Sequence, residues 1–283
     1  MRRVSAPYIA GPTLDDARRT VVSLNAEGKR ATIDVLGEEV HSEAEAQAIA
    51  AAYADVLAAI ATDGLDANVS VKLTGLGLKV DVDLCRSLLE TLVRDAAARG
   101  SFVRIDMEDA SCVDDTLALY RSLRAAGLEN VGIVLQAYLK RTHTDIADLR
   151  DLRPSVRLCK GIYVEPSSIA FQDHEVVRRS FVSCLDTLFE GGSRVAIATH
   201  DESLLGESLA RVASLAHGAY EFQMLLGVRE SRAGELVAAG HPLRVYVPYG
   251  QRWYEYSLRR LQENPQMAGV IARATLARAI GRS

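Results

Sequence analysis

Short runs of apolar and β-branched residues recur along the chain, and polar or charged residues stand at the end of each run. The first run covers residues 31–37 and the last covers residues 243–250, and consecutive runs begin about 24 to 39 residues apart. Runs of this length and composition are typical of buried strands. The pattern predicts six further strands between these two, at residues 68–76, 102–109, 131–139, 155–163, 194–201 and 219–227.

Helical patterns separate the predicted strands. An amphipathic helix is expected over residues 13–28, with Thr13 as its N-cap, and a long alanine-rich helix over residues 42–63. Strands that alternate with helices require a parallel sheet. Eight such units in 283 residues predict a single α/β domain spanning residues 1–283, folded as one closed (β/α)₈ barrel of the TIM type.

Composition and charge exclude several classes of protein. Lys and Arg total 33 against 37 Asp and Glu, and no basic block is present, so a nucleic-acid partner is not expected. No secretory signal and no run of about 18 apolar residues is found, which predicts a cytoplasmic protein or one attached to a membrane surface. The four cysteines have no paired spacing and are expected to be reduced, and no metal site is predicted.

The segment after the last strand carries the clearest candidate site. From residue 252 the pattern becomes helical, and Tyr256, Arg259 and Arg260 fall on one face of this C-terminal helix, with Glu263 further along the same stripe. Two adjacent guanidinium groups can clamp a small carboxylate, because their geometry matches it in a bidentate manner. A solvated basic helix face is the alternative interpretation.

Polar residues at the ends of the predicted strands form a second candidate site. In a (β/α)₈ barrel the functional groups come from the C-terminal ends of the strands. The cations among them favour an anionic ligand, either a phosphate-bearing cofactor, a carboxylate substrate or both, although individual members also fit structural salt bridges. The set comprises Lys72, Thr74, Asp106, Glu108, Asp109, Gln136, Lys140, Arg157, Lys160, Thr199, His200, Asp201, Gln223, Tyr246 and Tyr249.

Two of these side chains suggest competing chemistries. Lys160 could form a Schiff base, as in an aldolase, or could contact a phosphate or flavin together with Arg157. His200 is expected to donate or accept a hydrogen bond near a ligand rather than to bind zinc, because no second histidine stands at ligand spacing.

Several segments resemble the proline dehydrogenase family, and together they span about residues 8–264. They read VSVKLTGLG, RIDMEDA, LQAYLKRT, VRLCKGIY, IATHD, YEFQMLLGV and RVYVP…YEYSLRRLQEN. The family occurs as stand-alone bacterial enzymes and as a module of the bifunctional proline utilization protein. The resemblance implies a distorted (β/α)₈ barrel with noncovalent FAD. It also implies oxidation of L-proline to 1-pyrroline-5-carboxylate, by hydride transfer from proline C5 to flavin N5, as the first step of proline catabolism to glutamate.

The resemblance also implies roles for individual residues. Arg259, Arg260 and Lys72 would bind the proline carboxylate, and Asp106 matches the family's active-site aspartate. Leu225, Tyr246 and Tyr256 would shape the pocket around the proline ring. The residues that would contact FAD are Gln136, Arg157, Lys160, Gly161, Tyr163, Thr199, His200 and Glu263.

The implied partners are L-proline, a quinone that accepts the electrons, and a separate pyrroline-5-carboxylate dehydrogenase. A peripheral contact with the inner face of the cell membrane is a further hypothesis. Two other functions remain open on the sequence. One is a Schiff-base aldolase that uses Lys160 or Lys72, and the other is a non-catalytic barrel that binds an amino acid or flavin.

Overall fold

Eight parallel strands close into a barrel in the computed structural model of this chain, which describes residues 8–216 and 218–251. Each strand pairs with its neighbour in sequence, and β1 pairs with β8 to complete the ring. The strands are β1 (Arg30–Val35), β2 (Ala67–Val71), β3 (Val103–Ile105), β4 (Val131–Gln136), β5 (Ser155–Cys159), β6 (Arg194–Ala198), β7 (Tyr220–Leu225) and β8 (Leu243–Tyr249). The predicted (β/α)₈ barrel is thereby confirmed.

Eight helices accompany the strands in the described ranges. They are α1 (Leu14–Ala26), α2 (Glu43–Asp63), α3 (Val82–Ala98), α4 (Val113–Ala125), α5 (Thr142–Asp148), α6 (His174–Glu190), α7 (Glu202–Val212) and α8 (Glu230–Ala238). The helix α1 precedes the first strand, as the sequence predicted. The predicted C-terminal helix lies outside the described residues, and the single domain over residues 1–283 stays a prediction.

The first two helices begin close to where the sequence predicts, the first of them after its predicted N-cap, Thr13. Thr13 accepts a hydrogen bond from the Asp16 backbone N–H, and the Asp16 carboxylate accepts one from the Thr13 N–H, so the two residues form a capping box. Ser42 caps α2 through the Glu45 N–H. These caps satisfy backbone donors that the first turn of a helix leaves without partners.

Several strands end earlier than the sequence predicted. The predicted strand over residues 68–76 is wrong in its second half, because β2 stops at Val71 and a 3₁₀ turn covers Leu73–Leu76. A Cβ atom on Gly75 would lie 2.9 Å from the Gly37 carbonyl oxygen, so this turn packs directly on the neighbouring loop. Likewise β3 ends at Ile105 and β5 at Cys159. Lys72, Asp106 and Lys160 therefore each follow a strand instead of ending it.

The two faces of the barrel wall differ in chemistry. Side chains alternate along a strand, so Ile33 and Val35 of β1 join the apolar core beneath the helices, while Asp34 faces the lumen. Inside the barrel, Arg157 of β5 reaches Ser70 of β2 across the lumen. The Asp, Glu, Lys and Arg side chains buried in the described part of the chain are Lys29, Asp34, Lys72, Arg104, Glu108, Asp145, Arg157, Glu221 and Arg244.

One described helix, α2, is long and apolar enough to cross a membrane when judged by length and composition alone, with a mean hydropathy of 1.3. In the barrel it packs against β1 and β2, and Tyr53, Val56, Leu57 and Ile60 are buried there. The position is that of a barrel helix, and core helices pass the same test.

Gly132 in β4 leaves room for a buried guanidinium. The Nη1 atom of Arg104 donates to the carbonyl oxygens of Ile133, at 3.0 Å, and Ser155, at 2.5 Å. A Cβ atom on Gly132 would lie 2.6 Å from the Ser155 oxygen and would also overlap the guanidinium. We therefore expect Gly132→Ala to lower the free energy of unfolding by about 1–3 kcal/mol, the usual cost of overpacking.

Gly206 supplies the matched control for this prediction. It lies inside α7, and a Cβ atom there would meet nothing within 4 Å. Gly206→Ala should raise the free energy of unfolding by roughly 1 kcal/mol through helix propensity. Urea unfolding of Gly132→Ala and Gly206→Ala measures the difference between their free energies of unfolding. Equal values for the two variants would contradict the packing argument.

Candidate active site

Lys72 lies at the centre of a buried charge cluster at the C-terminal end of the barrel. Its Nζ donates to Asp34 Oδ1 at 3.0 Å and to the Tyr246 hydroxyl at 2.9 Å, and it lies 3.5 Å from Asp106 Oδ2. Burial alone would lower the pKa of Lys72, but the neighbouring acidic groups, Asp34 first among them, outweigh burial and raise the pKa well above its usual value. Lys72 is therefore a cation at neutral pH.

Asp106 links Lys72 to Arg157. Its Oδ2 accepts from the Tyr246 hydroxyl at 2.9 Å, and its Oδ1 accepts from Arg157 Nη1 at 2.6 Å and from Ser70 Oγ at 2.7 Å. Burial would raise the pKa of Asp106, yet the charges of Arg157 and Lys72 hold it below its usual value. The aspartate is thus an anion at neutral pH.

The aromatic ring of Tyr246 lies beside both cations. The Lys72 Nζ is 5.6 Å from the ring centroid, and the Arg157 Cζ is 5.3 Å from it. These distances suit cation–π attraction. Tyr246 therefore helps to fix the two side chains through its ring as well as through its hydroxyl.

Arg157 is held so that one end of its guanidinium is left for a ligand. Its Nε donates to Gln223 Oε1 at 2.5 Å, and its Nη1 donates to Ser70 and Asp106. The Gln223 amide is oriented in turn by Glu221, whose Oε1 accepts from Gln223 Nε2 at 2.6 Å. Within residues 8–216 and 218–251, Nη2 makes no hydrogen bond. The arginine can thus offer two N–H donors to a bound molecule.

Gln136, at the end of β4, has a buried acceptor without a donor. Its Nε2 donates to the carbonyl oxygens of Met107 at 3.2 Å and Glu108 at 3.3 Å. These two acceptors fix the amide orientation, so Oε1 faces away from them, and among the described residues it has no hydrogen-bond partner. Such an orphaned acceptor is costly when buried, and a ligand with an N–H group would satisfy it.

Lys160, His200 and Asp201 form a separate group at the rim. The Nζ of Lys160 is half-exposed and pairs with Asp201 Oδ2 at 3.0 Å, and Arg178 of α6 pairs with the same oxygen at 2.9 Å. These contacts lower the pKa of Asp201 to about 2, although burial opposes them. The expectation that Lys160 lies within a strand is wrong, since β5 ends at Cys159.

The remaining predicted residues divide into three groups. Thr199 is buried beside His200, and its Oγ1 accepts from the Asp201 N–H, while Leu225 ends β7. Gly161 has a φ of 109° and packs on the Tyr138 ring with no room for a Cβ atom. Tyr163 lies half-buried in the same loop. Four predicted site residues lie outside the described residues, namely Tyr256, Arg259, Arg260 and Glu263.

Lys140 and Glu108 are two of the predicted strand-end residues that do not join the cluster around Lys72. Lys140 is exposed on a loop, where its Nζ donates to the Ser167 carbonyl oxygen at 2.7 Å. Glu108 accepts from the N–H and the hydroxyl of Thr74, and burial raises the pKa of Glu108 to about 7. Both residues hold loops together. Within the described ranges, no group of three or more His, Cys, Asp or Glu side chains could hold a metal ion.

Asp34 and Ser70 belong to the cluster, but the sequence interpretation missed them. Asp34 is fully buried, and desolvation raises its pKa above the usual value although the charge of Lys72 opposes this. The signal was present in β1, where Thr32 and Asp34 alternate with apolar residues. A buried strand with polar residues at every second position indicates that the lumen side is polar.

The pKa of His200 generates a prediction about pH. The Leu225 N–H donates to His200 Nε2 at 3.0 Å, so this nitrogen carries no proton. Burial, and then the charges of Arg229 and Lys160, lower the pKa of His200 to about 4, against about 6.5 in an unfolded chain. Because the folded pKa is depressed, the stability that neutral His200 contributes is present above pH ~6.5 and is lost as the pH falls towards 4.

We therefore expect the His200 ring to remain neutral at pH 5.5, and an NMR titration of the imidazole protons measures this. The His200→Asn variant identifies the resonance, and its free energy of unfolding should fall less than that of the unchanged protein between pH 7 and 5. Titration of His200 near pH 6.5 would contradict the proposed environment.

Comparison with known proteins gives a consistent family. The family model described as proline dehydrogenase matches residues 17–273. Proline dehydrogenase 1 of Bacillus subtilis subsp. natto is 39% identical over 271 residues, which cover 95% of this chain and 89% of that protein. Proline dehydrogenase of Deinococcus radiodurans is 35% identical over 284 residues, covering 98% of this chain and 91% of that one.

Solved structures agree with this result. The crystal structure of proline utilization A from Bdellovibrio bacteriovorus, inactivated by N-propargylglycine, matches 92% of this chain with a TM-score of 0.85 and 25% sequence identity. The match covers 32% of that longer chain. From the barrel, the charge cluster at its C-terminal end and these likenesses together, the chain belongs to the proline dehydrogenase family of oxidoreductases.

Proposed function

We propose that this protein oxidises L-proline to 1-pyrroline-5-carboxylate with FAD as a noncovalent cofactor. The observation that carries the proposal is the cluster of Lys72, Asp106, Arg157 and Tyr246 at the catalytic end of a barrel, in a chain whose relatives are named proline dehydrogenases. The cluster contains two fixed cations and no activated nucleophile. Such a site suits catalysis by orientation.

The proline carboxylate would bind to cations. Lys72 stays charged because of its acidic neighbours, and Arg259 and Arg260 follow the last strand closely in sequence. Guanidinium groups bind carboxylates in a bidentate manner, which fixes the ligand in orientation as well as in position. Tyr246, Leu225 and Tyr256 would enclose the apolar ring.

The proline amine has to lose its proton before it can lose a hydride. Lys72 and Arg157 are each paired with a carboxylate, so the uncompensated positive charge near the pocket would come from Arg259 and Arg260, and a like charge disfavours the protonated amine. These cations would therefore lower the amine pKa while they hold the carboxylate. No side chain is then required to act as a strong base.

The described residues fit a flavin. The Gln136 Oε1 is buried without a donor, and the isoalloxazine ring carries an N–H as well as several acceptors. Arg157 Nη2 can donate two hydrogen bonds to those acceptors. When bound, FAD supplies the hydride acceptor, since its N5 accepts the hydride from proline C5.

The rim residues fit the rest of the cofactor. Lys160 and Arg178 both pair with Asp201, and cations of this kind bind phosphate groups. His200, which is neutral, accepts from the Leu225 N–H close by. The loop through Gly161 and Tyr163 and the side chain of Thr199 adjoin this rim. Glu263 would contact the cofactor from the C-terminal helix. These residues hold and orient the cofactor, and the lumen residues orient the substrate.

A Schiff-base mechanism is a weaker candidate. It requires a lysine whose amine loses its proton readily. The acidic groups around Lys72 instead raise its pKa, and the Lys160 Nζ is engaged by Asp201. Both lysines therefore suit anion binding better than nucleophilic attack.

The electrons would pass to a quinone, and a separate pyrroline-5-carboxylate dehydrogenase would complete the oxidation to glutamate. We place the protein in the cytoplasm, with a peripheral contact on the inner face of the cell membrane where the quinone resides. Relatives named bifunctional protein PutA support the coupled step. The match with the one from Klebsiella aerogenes covers 24% of that protein, so most of the bifunctional chain lies outside the matching part.

An absorbance spectrum tests the proposal as a whole. The purified protein should show flavin bands near ~450 nm, and anaerobic L-proline should bleach them. D-Proline serves as the control. When the carboxylate is held by the clamp, the ring of only one enantiomer can place a C5 hydrogen against the flavin. If neither enantiomer bleaches the flavin bands, L-proline is not the substrate. If the purified protein binds no flavin, the proposal of FAD as cofactor is refuted.

Substitution of the arginine pair tests the carboxylate clamp. Arg259→Met and Arg260→Met should each raise the proline KM by about tenfold or more, as loss of a charged hydrogen bond of about 1.5–3 kcal/mol implies, while flavin stays bound. Arg99→Met is the matched control, since Arg99 pairs with Asp95 on the surface of the barrel. An unchanged KM in both variants would exclude the clamp.

A further inference from the structure

Tyr53 connects a helix outside the barrel to the charge cluster inside it. The residue lies on α2 and is 1% exposed. Its hydroxyl accepts from the Val35 N–H at 3.2 Å and lies 2.7 Å from the Ser70 carbonyl oxygen. The pairing of β1 with β2 ends at Asp34 and Ser70. The phenol thus bridges the two strands where their pairing stops.

The same hydroxyl reaches the lumen. It lies 3.1 Å from Asp34 Oδ1, the oxygen that also accepts from Lys72 Nζ at 3.0 Å. The second oxygen, Asp34 Oδ2, is buried without a partner among the described residues. The Tyr53 hydroxyl has one proton, which the Ser70 carbonyl oxygen at 2.7 Å and Asp34 Oδ1 at 3.1 Å share. The hydrogen bonds that the structure gives to the Asp34 carboxylate therefore come from this shared donor and from Lys72.

A buried carboxylate needs such support. Asp34 is 0% exposed, and a buried anion persists only when it is paired and hydrogen-bonded. Burial, followed by the charge of Asp34, raises the pKa of Tyr53 well above its usual value, so the phenol keeps its proton and remains a donor. Loss of the hydroxyl would leave Lys72 as the remaining described partner of the anion.

We propose that Tyr53 is a positioning residue that acts through Asp34 to keep the Lys72 ammonium group in place for the substrate carboxylate. This inference rests on the proposed function, in which Lys72 binds that carboxylate. Tyr53 is almost fully buried on α2, so we expect it to touch neither substrate nor cofactor. Its effect should therefore fall on substrate affinity, because Lys72 binds the same carboxylate before and during the reaction.

Tyr120 offers a matched control within the same fold. It lies on α4, is 0% exposed, and its hydroxyl accepts from Arg124 on its own helix at 3.0 Å. Tyr53→Phe and Tyr120→Phe each remove one oxygen atom from a buried tyrosine on a barrel helix. Of these two hydroxyl groups, only that of Tyr53 contacts the Lys72 cluster among the described residues.

The experiment measures the proline KM and kcat of the flavin-loaded variants, with kcat referred to bound flavin. Tyr53→Phe should raise the KM about five- to tenfold, which is less than the loss of a direct hydrogen bond between a charged group and the substrate, because Tyr53 acts through Asp34; it should change kcat less than twofold. Tyr120→Phe should leave both constants unchanged. In an Asp34→Asn background, Tyr53→Phe should have no further effect on the KM, which shows that the two residues act as one unit.

Three results would overturn the inference while leaving the proposed function intact. They are an unchanged KM in Tyr53→Phe, effects of Tyr53→Phe and Asp34→Asn that multiply, and equal effects of Tyr53→Phe and Tyr120→Phe. If Tyr53→Phe does not fold, Asp34→Asn alone decides, because an unchanged KM in that variant removes the proposed route. Failure of the unchanged protein to reduce its flavin with L-proline would instead refute the proposed function.

Discussion

The mutual neutralisation of buried charges at the barrel's C-terminal end is the constraint on which the rest of the structure depends. Lys72 and Arg157 are each less than a tenth exposed, and so is Asp34. A single uncompensated ion at such depth costs several kcal/mol, and removal of one partner from a buried pair costs about 3–5 kcal/mol. The pairs of Lys72 with Asp34 and of Arg157 with Asp106 avoid that cost.

This neutralisation ties the site to the closure of the barrel. Lys72, which follows β2, pairs with Asp34 of the neighbouring strand β1, but Arg157 of β5 pairs with Asp106, which follows β3, and Lys72 contacts Tyr246 of β8. The last two contacts join strands that are not neighbours, so they form only when the strands are arranged around the barrel. The lumen of this barrel is therefore both part of its core and its site, whereas the apolar core that stabilises the fold lies between the strands and the helices.

The fold could be predicted from the sequence because it depends on local patterns. Apolar runs at regular spacing gave eight strands, and Thr13 and Ser42 gave the starts of two helices. The ends of strands were harder to place, since the turn after β2 depends on close packing of Gly75 against the Gly37 carbonyl. That contact joins two distant loops and leaves no periodic signal.

The site could be predicted only in part, for a similar physical reason. Lys72, Asp106, Arg157 and Tyr246 stand close to strand ends, where a barrel collects its functional groups, and the structure brings them together. Asp34 stands inside a strand, where only the alternation of polar and apolar residues marked it, and Tyr53 stands on a helix outside the barrel, where no positional signal marked it. Lys140 carried the positional signal but is exposed on a loop, because a strand end does not determine which way the following loop turns.

The charge balance of the cluster indicates what it cannot do by itself. Two cations, Lys72 and Arg157, face two carboxylates, Asp34 and Asp106, and the Glu38 carboxylate lies 4.0 Å from Lys72 Nζ. A substrate carboxylate added to this set would leave an excess of negative charge in a poorly hydrated site. The cluster can orient a bound amino acid, but further cations have to neutralise the carboxylate of that amino acid. We propose that Arg259 and Arg260 meet this need, since two guanidinium groups that follow β8 in the sequence would supply both the missing charge and a bidentate geometry.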